Sequence, residues 1–125
     1  MAANARMQLL RIYVGSRDLC GGRPLHEAIV QAARNKGLAG ATVTPGMMGY
    51  GSRGTIHRAS LRPRLNEVPL VIQIADQADR IAEFLPYLEP MLQGGMVTVQ
   101  TLEGEQIRAS AGAAIEHPEA TRRGK

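Results

Sequence analysis

The segment from Gly46 to Arg64 carries the residues of this chain whose types and spacing could do chemistry. Its glycines provide backbone that can approach an anion closely, with exposed N–H groups as donors. No Asp or Glu lies between Gly46 and Asn66, and arginine makes forked contacts with phosphate or carboxylate. We therefore expect an anion-binding or partner-docking loop, with a solvated basic loop as the plain alternative. The arginines of this segment are Arg53, Arg58, Arg62 and Arg64.

The run GYGSRG at residues 49–54 matches the spacing G-x-G-x-x-G, but its context does not suit a dinucleotide site. In dinucleotide-binding folds this motif follows a strand and opens a helix whose N-terminus meets the pyrophosphate. Residues 55–69 contain Pro63 and Pro69 and have no helical periodicity, so the required helix is not predicted. A P-loop is excluded as well, because the run lacks the Gly-Lys-Ser/Thr ending.

Catalytic and metal sites are not predicted. His26, His57 and His117 are far apart and have no spacing typical of metal ligands, and Cys20 is the single cysteine. Ser52 and His57 could belong to a nucleophile–base–acid set, but no spacing in the sequence identifies such a set. We therefore expect a binding protein rather than an enzyme, with no metal.

Size and composition fit one cytoplasmic domain. The 125 residues, 44% of them hydrophobic, are enough for a single packed core. No apolar run approaches the roughly 20 residues of a spanning helix, and residues 1–6 lack a signal-peptide apolar region, so no membrane insertion is expected. The net charge of +4 permits non-specific attraction to polyanions. A sheet with little beyond Tyr13 for base stacking makes a specific nucleic-acid partner unexpected.

Six segments have the periodicity of strands or helices. Residues 7–14, 39–45, 70–75 and 96–102 are predicted strands. The first helix is predicted to begin at Pro24 and to stop at Gly37, and its apolar residues recur at helical spacing. The second helix is predicted to begin with Asp76 as its cap, to contain a kink at Pro86 and to end at Gly94.

The resulting order, β-α-β-β-α-β, is that of the split βαβ arrangement in ferredoxin-like folds. We predict an α+β sandwich in which a four-stranded antiparallel sheet carries both helices on one face. Ile29, Ile72 and Leu85 are expected to be buried between the layers. The other sheet face would carry Leu9, Tyr13, Val71 and similar residues. Self-association is the simplest cover for so apolar a face.

The folded domain is predicted to span residues 7–103. Residues 104–125 are small, polar and charged, with little to bury, so a flexible tail is expected there. A short flexible N-terminus, residues 1–6, would precede the domain.

Four motifs in the same order and spacing resemble the PII-like family known as domain of unknown function 190. They are GLAGATV at residues 37–43, GYG at 49–51, IH at 56–57 and VPLVI at 68–72. The resemblance runs from about residue 7 to residue 102. The stretch GLAGATV…GYG is also similar to the second strand and glycine turn of the nitrogen-regulatory PII proteins.

This resemblance implies a homotrimer of ferredoxin-like subunits, with adenine nucleotides bound in clefts between subunits. By position it places Thr42, Gly49 and Gly51 on the nucleotide side. Residues 51–64 fall on a loop that, in PII proteins, docks onto enzymes or membrane transporters. The chain departs from PII proteins in its short link at residues 93–95 and in lacking the pair of arginines after the last strand.

We therefore predict a regulatory signalling protein that senses a small anionic ligand, an adenine nucleotide by the resemblance, and docks onto a partner through residues 46–64. No other cofactor is expected. Members of the family are often associated with fluoride-channel proteins, so the alternative is an accessory subunit of a membrane transport system without its own ligand. The candidate ligand-binding residues are Thr42, Gly49, Gly51, Ser52, Arg53 and His57. The candidate docking residues are Arg53, Arg58, Arg62 and Arg64.

Overall fold

The computed structural model describes residues 6–51, 56–58 and 67–107 of the chain. Its main sheet has four strands: β1 (Met7–Gly15), β2 (Thr42–Pro45), β3 (Pro69–Gln77) and β4 (Met96–Leu102). Helix α1 (Leu25–Asn35) lies between β1 and β2 in the chain, and helix α2 (Ala78–Leu88) lies between β3 and β4. All neighbouring strands are antiparallel, in the order β2-β3-β1-β4. The predicted α+β, ferredoxin-like βαββαβ fold is confirmed.

The core lies between the sheet and both helices. Alternate residues of β1 and β3 point to the helices and are fully buried, as the period of two predicts. Each helix adds one buried stripe to the same cluster, so both helices cover the same sheet face. The strand residues are Leu10, Ile12, Ile72 and Ile74, and the helix residues are Leu25, Ala28, Ile29, Ala33, Ile81, Phe84 and Leu88.

The opposite side of the sheet, called the open face below, carries the intervening strand residues. Leu9 and Tyr13 of β1 lie there, and Tyr13 pairs with Val71 of β3 and with Met96 of β4. Tyr13 and Met96 are 40% and 62% exposed in the single chain. The prediction that apolar residues occupy this second face is therefore confirmed, and both described helices lie on the other side.

Helix α1 ends where the sequence predicts. Gly37 donates its N–H to the carbonyl of Arg34 at 3.0 Å, and Leu38 donates to the carbonyl of Ala33 at 3.1 Å. This pair of bonds is the Schellman motif, which satisfies carbonyls of the last helical turn. The connection from Gly37 to Ala41 then leads to β2.

Asp76 does not cap α2, so that prediction is wrong. Strand β3 continues through Asp76 to Gln77, and Gln77 is the N-cap residue, without a side-chain capping bond. Asp76 has the same parity along β3 as Ile72 and Ile74, so its side chain points into the helix-facing layer and is buried. Its carboxylate accepts from the backbone N–H groups of Ala39 and of Gln77 itself, not from the N–H groups of the first helical turn that a cap would satisfy.

Four smaller differences concern element bounds and burial. Helix α2 ends at Leu88 rather than at Gly94, and a short 3₁₀ helix, Glu89–Met91, follows it. Strand β2 begins at Thr42 rather than at residue 39, because the N–H of Ala39 is taken by Asp76 and not by the neighbouring strand. Pro24 lies just before α1 in a two-residue ladder, Leu19–Cys20 with Arg23–Pro24. Leu85 is half-buried rather than buried, since it lies at the border of the stripe that α2 presents to the core.

Residues 103–107 follow β4 without helix or strand. The predicted flexible ends otherwise fall on residues 1–5 and 108–125, which lie outside the described residues.

Candidate functional site

The glycine-rich segment begins as a hairpin stem. Met48–Gly49 pairs antiparallel with His57–Arg58, and Gly49 lies directly opposite His57. Two of the candidate ligand-binding residues are therefore neighbours. Periodicity could not reveal this stem, because two residues on each side are too few to show a repeat.

The stem is attached to β3 at Pro69. Gly46 donates its N–H to the carbonyl of Pro69 at 2.7 Å. A Cβ added at Gly46 or Gly49 would lie 3.1 or 3.4 Å from Cγ of Pro69, so glycine lets this backbone approach the proline ring closely. The hairpin therefore leaves the sheet at a defined point beside the last residue pair of β2 and β3, Pro45 with Leu70.

Large apolar side chains are exposed around the stem. Met47, Met48, Tyr50 and Ile56 are between 55% and 82% exposed in the single chain. Exposed apolar groups of this kind are typical of surfaces that bind a partner. The stem thus combines backbone that can approach a ligand with side chains suited to an interface.

The structure describes the remaining predicted residues of the 46–64 segment only in part. Gly51 is described and exposed. For His57 and Arg58 the structure describes the backbone pairing. Ser52, Arg53, Arg62 and Arg64 lie outside the described residues.

Thr42 lies apart from the hairpin stem, in the lining of an open depression of about 560 Å³ on the open face. Its lining is apolar or neutral, without a charged side chain: Leu9, Ala39, Gly40, Ala41, Thr42, Gln73 and Ala75. Thr42 pairs with Gln73, so a hydroxyl and an amide lie on neighbouring strands of the same face. Such a lining suits a flat, uncharged ring with polar edges better than a phosphate.

Within the chain the depression and the hairpin stem are separate. Thr42 begins β2 and Pro45 ends it, which places three residue steps, about 10 Å, between them along the strand. Gly49 lies beyond Pro45, next to Pro69. The structure therefore brings Gly49 and His57 together and leaves Thr42 at the other end of β2.

Asp76 is not among the residues predicted for the site, but it bonds to backbone that lines the depression. Its Oδ2 accepts hydrogen bonds from the N–H of Ala39 at 2.9 Å and from Nε of Arg80 at 3.3 Å, and its Oδ1 accepts from the N–H of Gln77 at 2.6 Å. Nη2 of Arg80 also donates to the carbonyl of Gly37. The signal was present in the run LVIQIAD, where the period of two assigns the carboxylate to the buried face.

Two further findings concern residues 6–51, 56–58 and 67–107. No three His, Cys, Asp or Glu side chains in this part come together as metal ligands would. None of its helices is both long enough and apolar enough to cross a bilayer.

Solved structures show that the fold also occurs in known proteins. CutA from Synechococcus elongatus, solved in complex with a Bis-Tris molecule, aligns with a TM-score of 0.52 and 16% sequence identity. The alignment covers 82% of this chain and 84% of the CutA chain. At this identity the likeness concerns the fold.

Two relatives are similar in sequence over most of the domain. A UPF0166 protein of Aquifex aeolicus is 29% identical over 98 residues, which are 78% of this chain and 92% of the relative. The UPF0166 protein MJ1524 of Methanocaldococcus jannaschii is 30% identical over 95 residues, 75% of this chain and 87% of the relative. A family model, DUF190, described as "Uncharacterized ACR, COG1993", matches residues 7–104. The chain therefore belongs to the DUF190 family, which confirms the family that its motifs indicate.

Proposed function

We propose that this protein is a PII-like regulatory binding protein, which senses a small anionic ligand and docks onto a partner through residues 46–64. The observation that carries the proposal is the hairpin stem at Met48–Gly49 and His57–Arg58. The stem holds the glycine- and arginine-rich segment at a fixed point on β3, with exposed apolar residues around its base. A binding loop needs this combination of a rigid base and an accessible surface.

The ligand we propose is an adenine nucleotide. The depression at Thr42 offers an apolar floor with hydroxyl, amide and backbone groups, which suits the base. The segment 46–64 supplies glycines and arginines without a carboxylate, which suits the phosphates. Since the two places are apart in one subunit, the proposed cleft combines the depression of one subunit with the hairpin of its neighbour.

The assembly we propose is a homotrimer that covers the open face. Tyr13 and Met96 pair across β1 and β4 on that face and are 40% and 62% exposed in the single chain. Burial of apolar surface contributes about 25 cal/mol per Å², so copies of the chain that pack there gain stability. A closed ring of three leaves no such face exposed to solvent. The proposed role is binding, without catalysis of its own.

Native mass spectrometry of protein purified from its own host tests the assembly and the ligand together. We expect the mass of three chains with a bound nucleotide. Monomeric protein at micromolar concentration would contradict the trimer. A trimer without ligand that co-purifies with a channel or transporter would favour the alternative, an accessory subunit of a transport system.

A titration with ATP, AMP and inorganic phosphate tests the cleft itself. Thr42→Val removes the hydroxyl at the depression, and we expect about a fivefold to tenfold weaker binding of ATP, the usual effect of one hydrogen bond. Thr44→Val is the matched control, because Thr44 lies on the same strand and face but outside the lining of the depression. Equal ATP binding by both variants would contradict the placement of the base.

A further inference from the structure

The connection between α1 and β2, from Gly37 to Ala41, contains residues that line the depression, and a buried carboxylate holds it in place. Ala39, Gly40 and Ala41 belong to the lining. The N–H of Ala39 donates to Oδ2 of Asp76 across 37 positions of sequence. The carbonyl of Gly37, at the start of the connection, accepts from Nη2 of Arg80. Two hydrogen bonds thus hold the connection: Asp76 accepts one, and Arg80, its ion-pair partner, donates the other.

Asp76 is 3% exposed, and no other polar or charged residue in the described part of the chain is buried. Burying a carboxylate is unfavourable unless hydrogen bonds and an opposite charge compensate for the lost hydration. Two backbone N–H groups, of Ala39 and Gln77, and the guanidinium of Arg80 provide that compensation. An apolar residue, such as Ile72 and Ile74 on the same side of β3, would be the ordinary occupant of this position.

The fold alone does not require this carboxylate. Helix α1 is already ended by the bonds from Gly37 and Leu38 to the last helical turn. Replacement of buried ion pairs by apolar groups is often neutral or stabilising for a fold. What the carboxylate adds is the position of the Ala39 backbone, next to the residues that shape the depression.

We propose that Asp76 is a positioning residue for ligand binding, which holds the connection from Gly37 to Ala41 in the conformation that forms the depression, with Arg80 as its support. This proposal rests on the proposed function, which assigns the nucleotide base to the depression. Asp76 is itself buried and acts through the backbone of Ala39, so it need not touch the ligand.

Hydrogen exchange and ATP titration of Asp76→Asn test the proposal. Asparagine keeps the shape but lacks the charge and one acceptor. We expect the amides of residues 37–42 to exchange about tenfold faster, and ATP to bind about tenfold more weakly, the usual effect of one hydrogen bond to a charged group. Unchanged exchange in this segment, or unchanged ATP affinity, would overturn the proposal.

Ile12→Val is the control for a purely structural effect. Ile12 is fully buried in the middle of β1, and its shortening lowers the stability of the whole domain. This variant should leave ATP affinity unchanged and should not accelerate exchange selectively at residues 37–42. If it weakens ATP binding as much as Asp76→Asn does, the effect is general destabilisation and the proposal fails.

Arg80→Gln keeps the test available if Asp76→Asn does not fold. The side chain of Arg80 is 41% exposed, so its replacement is tolerated more easily. We expect the same two changes in the same direction, and their absence would overturn the proposal. Wild-type protein that binds no ATP would refute the nucleotide assignment instead. In that case, faster hydrogen exchange confined to residues 37–42 of the variant would still support the positioning role, and unchanged exchange there would refute it.

Discussion

Substitution of Gly95 by alanine should strongly destabilise the domain. Gly95 precedes β4, whose first residue, Met96, pairs with Tyr13 of β1. Its φ of +93° is one that residues with a side chain rarely adopt, and an added Cβ would lie 2.9 Å from the carbonyl oxygen of Tyr13. This neighbour is backbone within the central strand, so it cannot move without disturbing the pairing of β1 with β4.

The magnitude follows from three terms. The left-handed backbone costs about 1–2 kcal/mol for an alanine, and forced overlap in a packed site costs about 1–3 kcal/mol. The reduced entropy of the unfolded chain returns about 0.4–1 kcal/mol. We therefore expect Gly95→Ala to lower the free energy of unfolding by about 1–4.5 kcal/mol.

Gly21→Ala separates the two unfavourable terms. Gly21 has a φ of +59°, but an added Cβ there would have no atom within 4 Å. It should lower the free energy of unfolding by about 1 kcal/mol, since only the backbone term applies. Gly104→Ala has neither feature and should stay within about 0.5 kcal/mol of the wild type.

Urea unfolding followed by circular dichroism, at equal protomer concentration, measures all three variants. The difference between Gly95→Ala and Gly21→Ala reports the contact with Tyr13. Equal destabilisation by these two variants would refute the close approach of Gly95 to the central strand.

Three further predictions concern the core, the open face and the hairpin. Leu88→Ala, at a fully buried position of α2, should lower the free energy of unfolding, measured in urea, by about 2–5 kcal/mol. Leu85→Ala should lower it by less, because Leu85 is half-buried. Equal losses would contradict the buried stripe assigned to α2. If the proposed trimer covers the open face, Tyr13→Asp should shift sedimentation toward the monomer, because a charge on that face opposes its burial, whereas Tyr13→Phe should not. Arg53→Lys keeps the charge but loses the planar fork, so binding of the cognate ligand or partner should weaken while the fold is unchanged. Equal binding of that ligand or partner by the wild type and Arg53→Lys, together with salt-sensitive binding of duplex DNA, would show that the loop is a merely basic surface.

The fold was predictable because its signals are local. The period of two along β1 and β3, the stripes of α1 and α2 and the stop at Gly37 are each contained in short stretches of sequence. A strand or helix of seven to eleven residues shows its buried side directly, and the element order then leaves few ways to pack.

The candidate site could not be predicted from local patterns, because its residues come together from distant parts of the chain. Gly49 meets His57 through a ladder too short to have a period. The depression at Thr42 forms where β1, β3 and the connection from Gly37 come together. Asp76 was expected to cap a helix, as acidic residues before helices often do. Its actual partner, the N–H of Ala39, is 37 positions away, and only the folded sheet places a buried carboxylate beside that backbone.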